Sequence, residues 1–491
     1  MFVSLIAGAA ALAVSRPLCC ADDAAHAVIA KNVAFGLGYS DTLGHNVSTF
    51  RFTPFDPVIG TGPTIILPAA LAVWLFGNEA AVPGLTAVAM WCLLMGALFL
   101  KLRRHAAAPR RMEAAAATFL VLCTLLSPFS AWQWFALLGE VPTTVLVMLS
   151  CAFVATPGGS RLAEVLGGLC LGLAVAGKLL MGIYALPILV LLLWKPEQPP
   201  RERLVRLGSF CASAALPLAS FELWKLSTLP WPVYKDYALR SASFIRATGL
   251  AASDSSLFDQ LVSRVPAYSQ AYALPLLTWA PLAALTAWAL VRSGDVYVVR
   301  FSLLLLTGAV LHLGYWLGMS TGNVRYAFPA TLMLAATVSM RWAVATPVRG
   351  TLVFALVLGA SIVGPARRLP FYATFYSAEA MSAAESDAEA VADVLVARRG
   401  ATIVLTQWWA TAAALEYASD TPWIFDGFHQ YAAGAPGSGA LVAYSAPFVD
   451  RQDRAFMALL DACGPAVFVR GPYRVHQCMQ PPAATPIGTG R

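Results

Sequence analysis

A chain of 491 residues with 58% hydrophobic and only 12% charged side chains lies far below the roughly 25% charge of an ordinary soluble domain. A mean hydropathy of +0.67, with apolar blocks near the ~20 residues of helix that cross a bilayer, excludes a soluble globular protein. The formal net charge of +7 does not point to nucleic acid, because Lys and Arg gather at the ends of apolar blocks and form neither a basic face nor a basic tail.

The blocks predict a polytopic α-helical membrane protein with about 11 spans. The first runs from Phe2 to Val14. No basic region precedes it, and Arg16-Pro17-Leu18-Cys19-Cys20 is a poor cleavage site, so it reads as a retained helix. Further spans are expected near Val82–Leu100, Ala114–Leu126, Val141–Ala155, Leu162–Gly177, Leu179–Trp194, Leu207–Leu223, Ala273–Val291, Phe301–Gly318, Ala327–Met340 and Thr351–Val363. With a cytoplasmic N-terminus, the segments 101–111, 156–161, 195–206, 292–300 and 341–349 face the cytoplasm, and their 47 residues hold 14 Lys plus Arg. The positive-inside rule favours that orientation, because cationic density is several-fold lower on the opposite side.

Residues 1–365 then form a transmembrane unit with two long extracytoplasmic loops, 16–80 and 225–270, and residues 366–491 form an extracytoplasmic tail. In the tail the pattern changes to alternation. Ala380–Arg398 reads as helix, Thr402–Thr406 as strand, Ala410–Tyr417 as helix, Ala440–Tyr444 as strand, Arg454–Ala462 as helix and Ala466–Arg470 as strand. Such alternation suggests a small α/β domain. Its two cysteines, Cys463 and Cys478, are either a disulfide or two free thiols. Cys92, Cys123, Cys151, Cys170 and Cys211 lie in or beside apolar blocks, where thiols behave as small hydrophobes.

Isolated charges next to spans carry the chemical signal. Asp22 and Asp23 follow the first span directly and are able to cap a short helix ending at Gly36 and Gly38. Two adjacent carboxylates at a membrane surface ask for more than capping, because burying one is costly. His26 lies one turn along the same helix, within reach of either acid. A metal site from Asp22, His26 and His45 has no recognised ligand spacing, and none is expected. Glu140, the sole acid between Glu113 and Glu164, sits at the outer mouth of a span. Lys178, Lys235, Arg240, Arg246 and Arg325-Tyr326 lie at the same outer level. Each alone suits interfacial anchoring; with the three acids they describe a site for a lipid phosphate beside a general base.

In this order the motifs resemble the GT-C glycosyltransferases that use polyprenyl-phosphate sugars, the superfamily of protein O-mannosyltransferases and of the lipid A aminoarabinose transferase. The resemblance is carried by a first span, Asp22-Asp23, Ile29-Ala30-Lys31-Asn32 and Gly36-Leu37-Gly38-Tyr39-Ser40. It continues through Thr61-Gly62-Pro63, Pro68, Leu75-Phe76-Gly77, Gly139-Glu140-Val141-Pro142, Gly172-Leu173-Ala174 before Lys178, and Arg325-Tyr326-Ala327-Phe328-Pro329. The chain departs from the family where Asp22-Asp23 replaces Asp-Glu and where Thr61-Gly62-Pro63 replaces Tyr-Pro-Pro.

The resemblance implies transfer of a sugar from a polyprenyl-phosphate donor to a glycolipid, glycan or protein acceptor in a bacterial inner membrane, by inverting displacement and with no cofactor. It implies that Asp22 or Asp23 is the base and that Glu140 positions a substrate. Lys178, Arg240 or Arg246, and Arg325 with Tyr326, would hold the departing phosphate. That fits an oxocarbenium-like displacement whose ionised leaving group needs cations more than an acid. Two other classes compete. A lipid-linked sugar transporter or flippase asks for midspan charges or two related halves, and His312 is the main midspan polar residue. A non-catalytic envelope assembly protein asks only for a partner-binding tail.

Overall fold

The computed structural model describes residues 2–359 except 16–20, 42–52, 57–59, 107–108, 126–132, 195–198, 250–255, 273–275 and 345–350. In the tail it describes mainly 390–395, 404–406, 425–427, 440–446, 454–471 and 473–478, with single residues that include Asp387 and Tyr417.

The apolar blocks are helices. The N-terminal helix α1 (Phe2–Ser15) leads to α2 (Ala21–Ala34), a two-strand pair of β1 (Ser40–Asp41) and β2 (Thr53–Pro54), and α3 (Pro63–Phe76). Then come α4 (Ala81–His105), α5 (Pro109–Leu125), α6 (Glu140–Val154) and α7 (Arg161–Gly177), followed by a 3-10 turn, Leu179–Tyr184, that runs into α8 (Ala185–Leu193). The series continues with α9 (Pro200–Thr228), α10 (Trp231–Gly249), α11 (Leu257–Ala271), α12 (Leu276–Val291) and α13 (Val296–Gly318). A 3-10 turn, Val324–Ala327, then opens α14 (Phe328–Ser339).

Three of these, α4, α9 and α13, are long and apolar enough to cross a membrane by length and composition. The most apolar stretch of α9 is only 6% buried, with Leu204, Leu216 and Leu223 turned outward. That surface suits lipid, which gains nothing from hiding it. At the opposite extreme, α6 and α14 are buried almost throughout. A helix apolar all round belongs in the middle of a bundle, and Thr331, Thr337 and Ser339 keep α14 apolar by returning their hydroxyls to Ala327, Met333 and Ala335 carbonyls.

Both long loops are helical. Within 16–80 the helix α3 starts on Pro63, where the missing N–H is one that a first turn leaves unused anyway. Within 225–270, Ser256 caps α11 through a capping box with Asp259. From α11, Arg264 donates to the carbonyls of Trp316 (2.6 Å), Leu317 (2.6 Å) and Ser320 (2.7 Å). It thereby satisfies the unpaired carbonyl end of α13.

The tail carries a five-stranded mixed sheet of β3 (Val404–Thr406), β4 (Phe425–Gly427), β5 (Ala440–Ser445), β6 (Phe468–Arg470) and β7 (Tyr473–Cys478), in the order β4-β3-β5-β7-β6. Pairing is parallel from β4 to β5 and antiparallel from β5 to β6. The helix α15 (Arg454–Cys463) connects into β6. Cys463 is disulfide-bonded, and the side chain of Cys478 lies outside the described residues, as do 380–386 and 410–416. Tyr417 joins tail to membrane unit: it is fully buried against Ala27, Val28 and Val73. Its hydroxyl donates to the Glu79 carbonyl at 3.2 Å, and its own carbonyl accepts from Asn78 Nδ2 at 3.3 Å.

Candidate functional site

Four chain segments deliver charge to one point. Helix α2 brings Asp22 from its first turn, α6 brings Glu140 as its first residue, Lys178 is the residue after α7, and Arg325 stands in the 3-10 turn before α14. Arg325 Nη1 forms a short charge-assisted hydrogen bond to Asp22 Oδ2. Its Nε lies 3.0 Å from Glu140 Oε1, and Lys178 Nζ lies 3.5 Å from the same oxygen. The two cations therefore share one carboxylate, while Glu140 Oε2 has no hydrogen-bond partner among the described residues.

Local backbone explains why these residues meet. Gly139 precedes Glu140 with φ of 85°, in the left-handed region that glycine enters without strain. A Cβ there would also meet Ile65 Cγ1 at 2.9 Å. Glu140 consequently sits at the start of α6, where the helix dipole favours an anion. Gly62 lets the loop before α3 dock on the end of α7: its N–H donates to the Gly177 carbonyl at 2.9 Å. An added Cβ would lie 1.8 Å from the Ala176 carbonyl oxygen. That docking fixes the exit from α7 on which Lys178 stands.

Asp22 and Asp23 diverge, because consecutive helical residues point about 100° apart at 3.6 residues per turn. Asp22 turns to Arg325. Asp23 is buried and accepts from the Leu137 amide at 2.7 Å. The next carbonyl contact is made by His26, whose Nδ1 lies 2.9 Å from the Leu137 oxygen. The pair Asp23 and His26 thus holds both polar groups of Leu137 and sets the segment that ends in Gly139-Glu140.

Helix α2 is not among the described helices long and apolar enough to cross a membrane, and its titrating groups respond to the cluster. Burial alone would raise the Asp22 carboxyl, but Arg325, His26 and Lys178 together hold it below the usual carboxylate range. His26 is pushed down to about 3 by burial first and then by Lys178, with Arg325 adding to them; Asp22 and the Leu137 carbonyl oppose. The imidazole is therefore neutral at ordinary pH.

Of the remaining residues singled out in the sequence, Tyr326 stands beside the cluster with its ring 5.8 Å from the Arg325 guanidinium. Arg240 is outside it, on exposed α10, paired with Asp236 at 2.8 Å. Arg246 is also exposed on α10. His45 lies outside the described residues. His312 is hydrogen-bonded within the bundle, its Nε2 2.7 Å from the Tyr326 carbonyl. Tyr272, not singled out in the sequence, lies within electrostatic reach of Glu140 and Arg325, and donates to the Val324 carbonyl at 2.6 Å. A tyrosine ahead of a span reads only as an interfacial anchor, so nothing in the sequence marked it.

On the far side of Gly62 is a recess of about 200 Å³, lined by Tyr39, Phe55, Thr61, Glu222, Lys225 and Tyr237 among others. Tyr39 and Phe55 stack at 5.6 Å and 12°, and Tyr39 donates to the Thr61 carbonyl at 3.0 Å. Aromatic faces beside a Glu222–Lys225 pair at 2.7 Å form a lining suited to a polar ring.

The described residues form a helical fold with three helices long and apolar enough to cross a membrane by length and composition, and that fold has solved likenesses. The chain is similar in fold to ArnT from Cupriavidus metallidurans: it is 14% identical to the form bound to undecaprenyl phosphate, with 97% of each chain covered and a TM-score of 0.61. To the apo form it is 12% identical, again with 97% of each chain covered, at a TM-score of 0.59. The chain shares that fold over nearly its whole length. No protein-family model matches it, and no curated protein matches it in sequence.

Proposed function

We propose that the chain is an integral membrane glycosyltransferase that moves a sugar from a polyprenyl-phosphate donor to an extracytoplasmic acceptor by inverting displacement. The observation that carries this reading is the convergence of Lys178 and Arg325 on one carboxylate oxygen of Glu140. Two cations a few ångströms apart at the mouth of a bundle suit a phosphate attached to a lipid chain, and the ArnT counterpart was solved with undecaprenyl phosphate bound.

In this reading Lys178 and Arg325, with Tyr326 alongside, take the negative charge that develops on the departing phosphate. Preorganised charge of this kind is worth roughly 10²–10³-fold per donor. Glu140 and Asp22 hold the two cations in place through their ion pairs. Asp23 acts through Leu137, placing the segment that presents Glu140. Arg240 and Arg246 are left out of the phosphate seat. The aromatic recess behind Gly62 is the natural place for a sugar ring. The same reading keeps about eleven spans, a membrane unit of residues 1–365, an extracytoplasmic tail of 366–491, and an inner-membrane location with the site on the periplasmic side.

The test is purified protein in proteoliposomes supplied with undecaprenyl-phosphate sugars and a cell-envelope extract as acceptor. Release of undecaprenyl phosphate, with the sugar recovered on an acceptor in inverted configuration, is expected. No release with any of the common hexosyl and pentosyl donors overturns the reading.

A further inference from the structure

The carboxylates around this site are engaged. Asp22 is bound to Arg325, Glu140 Oε1 serves both cations, and Asp23 holds the Leu137 amide. One group is different. His26 is only 5% exposed, lies one turn from Asp22 on the same face of α2, and is within electrostatic reach of Lys178 and Arg325. Its Nδ1 contact is a carbonyl, the Leu137 oxygen, which only accepts. Nδ1 therefore carries the proton, and Nε2 keeps its lone pair. No described residue donates to that Nε2.

We propose that His26 Nε2 takes the proton of a hydroxyl-bearing acceptor, which makes the acceptor of this chain an alcohol and not an ionised phosphate. The proposal rests on the transferase reading above. An ionised phosphate acceptor brings no proton to remove, whereas a hydroxyl must lose one as its oxygen bonds to the sugar. The step balances as follows. The acceptor oxygen attacks C1 of the sugar, and the C1–O bond to phosphate breaks with both electrons leaving on the phosphate. The acceptor proton passes to Nε2 and from there to water.

The surroundings make this base conditional on the donor. Lys178 and Arg325 oppose an imidazolium beside them, and burial opposes it further. A donor phosphate seated between the cations cancels that opposition. It also competes with Asp22 for Arg325, leaving the Asp22 carboxylate one turn away to stabilise the imidazolium. Protonation of His26 and occupancy of the phosphate seat are thereby linked, and linkage is reciprocal.

The experiment is a calorimetric titration of the full-length protein in nanodiscs with undecaprenyl phosphate. It is run at pH 6 in buffers of different ionisation enthalpy, for wild type and His26→Asn. Asparagine keeps a donor for the Leu137 carbonyl but no base. Wild type should take up roughly half a proton more than the variant on binding. In parallel, His26→Asn should lower kcat on a hydroxyl acceptor by about 10²–10⁴-fold, lose the acidic limb of the kcat profile, and leave the donor KM within twofold. Equal proton uptake overturns the proposal whether or not transfer is seen. So does a variant that keeps kcat and its acidic limb, and in that case the transferase reading stands. Excess uptake by wild type with no transfer to any acceptor overturns the transferase reading and the hydroxyl role with it.

Discussion

Two buried glutamates sit at opposite ends of the helix bundle, and both meet cations. At one end Glu164, on α7, is fully buried and lies 3.3 Å from Arg206 Nη1 of α9. Arg206 spends its other groups on Glu202 and the Gly159 carbonyl. The described contacts of Arg206 come from two neighbouring helices and the turn before one of them, and a single guanidinium serves them all. At the other end Glu140 is the meeting point of four separated segments, has two cations on one oxygen, and retains an open oxygen. The first arrangement is a clamp between helices. The second joins two cations and two carboxylates, and leaves Glu140 Oε2 without a hydrogen bond among the described residues. Burial of a charged group therefore does not distinguish structure from function here; the number of segments that converge does.

The contrast breaks most sharply at Arg325. Arg325→Ala leaves the half-buried Asp22 without its partner and Glu140 with Lys178 alone. The expected effect is a fall in kcat/KM of at least 10²-fold with a raised KM for the polyprenyl-phosphate donor, read by steady-state kinetics; unchanged kinetics remove Arg325 from the site. The clamp should answer differently. Arg206→Ala is expected to lower thermal stability by several degrees, measured by tryptophan fluorescence in detergent, with donor KM within twofold. A large KM change there would erase the distinction between the two ends.

Acid sharpens the comparison further. The Asp22 carboxyl is depressed in the folded protein by Arg325, His26 and Lys178 acting against burial. Its contribution to stability is therefore complete above the unfolded carboxylate value of about 3.9, and is lost as pH falls through the lower folded value. Asp22→Asn should flatten the loss of thermal stability on acidification below about pH 4; an identical acid profile for wild type and variant contradicts the assigned pairing. The smallest effect belongs to Arg240→Ala. Its exposed pair with Asp236 is of a kind worth about 0–1 kcal/mol, so kcat/KM should stay within about threefold.

Much of this is visible in the chain before folding. The helices occupy the apolar blocks, and Asp22, Glu140, Lys178 and Arg325 stand out because an isolated charge beside a span needs an explanation. What the sequence hides is of three kinds. Helix α3 is masked by Pro63 and Pro68, which read as loop punctuation although one opens the helix and the other is tolerated inside it. Strands β4 and β7 are masked because Phe425–Gly427 is too short to show a period and Tyr473–Cys478 is mostly polar. The opposite fates of Asp22 and Asp23 depend on which segments pack against α2, a long-range fact. The i,i+4 spacing of Asp236 and Arg240 suits an ion pair on one helix face, which holds Arg240 on α10.

The most direct measurement is equilibrium binding of undecaprenyl phosphate to the reconstituted protein, comparing wild type, Lys178→Ala, Arg325→Ala and Arg206→Ala at one salt concentration. The account predicts that both outer-cluster variants weaken binding at least tenfold while Arg206→Ala binds as wild type. Equal affinity for all four, or a loss confined to Arg206→Ala, would contradict it.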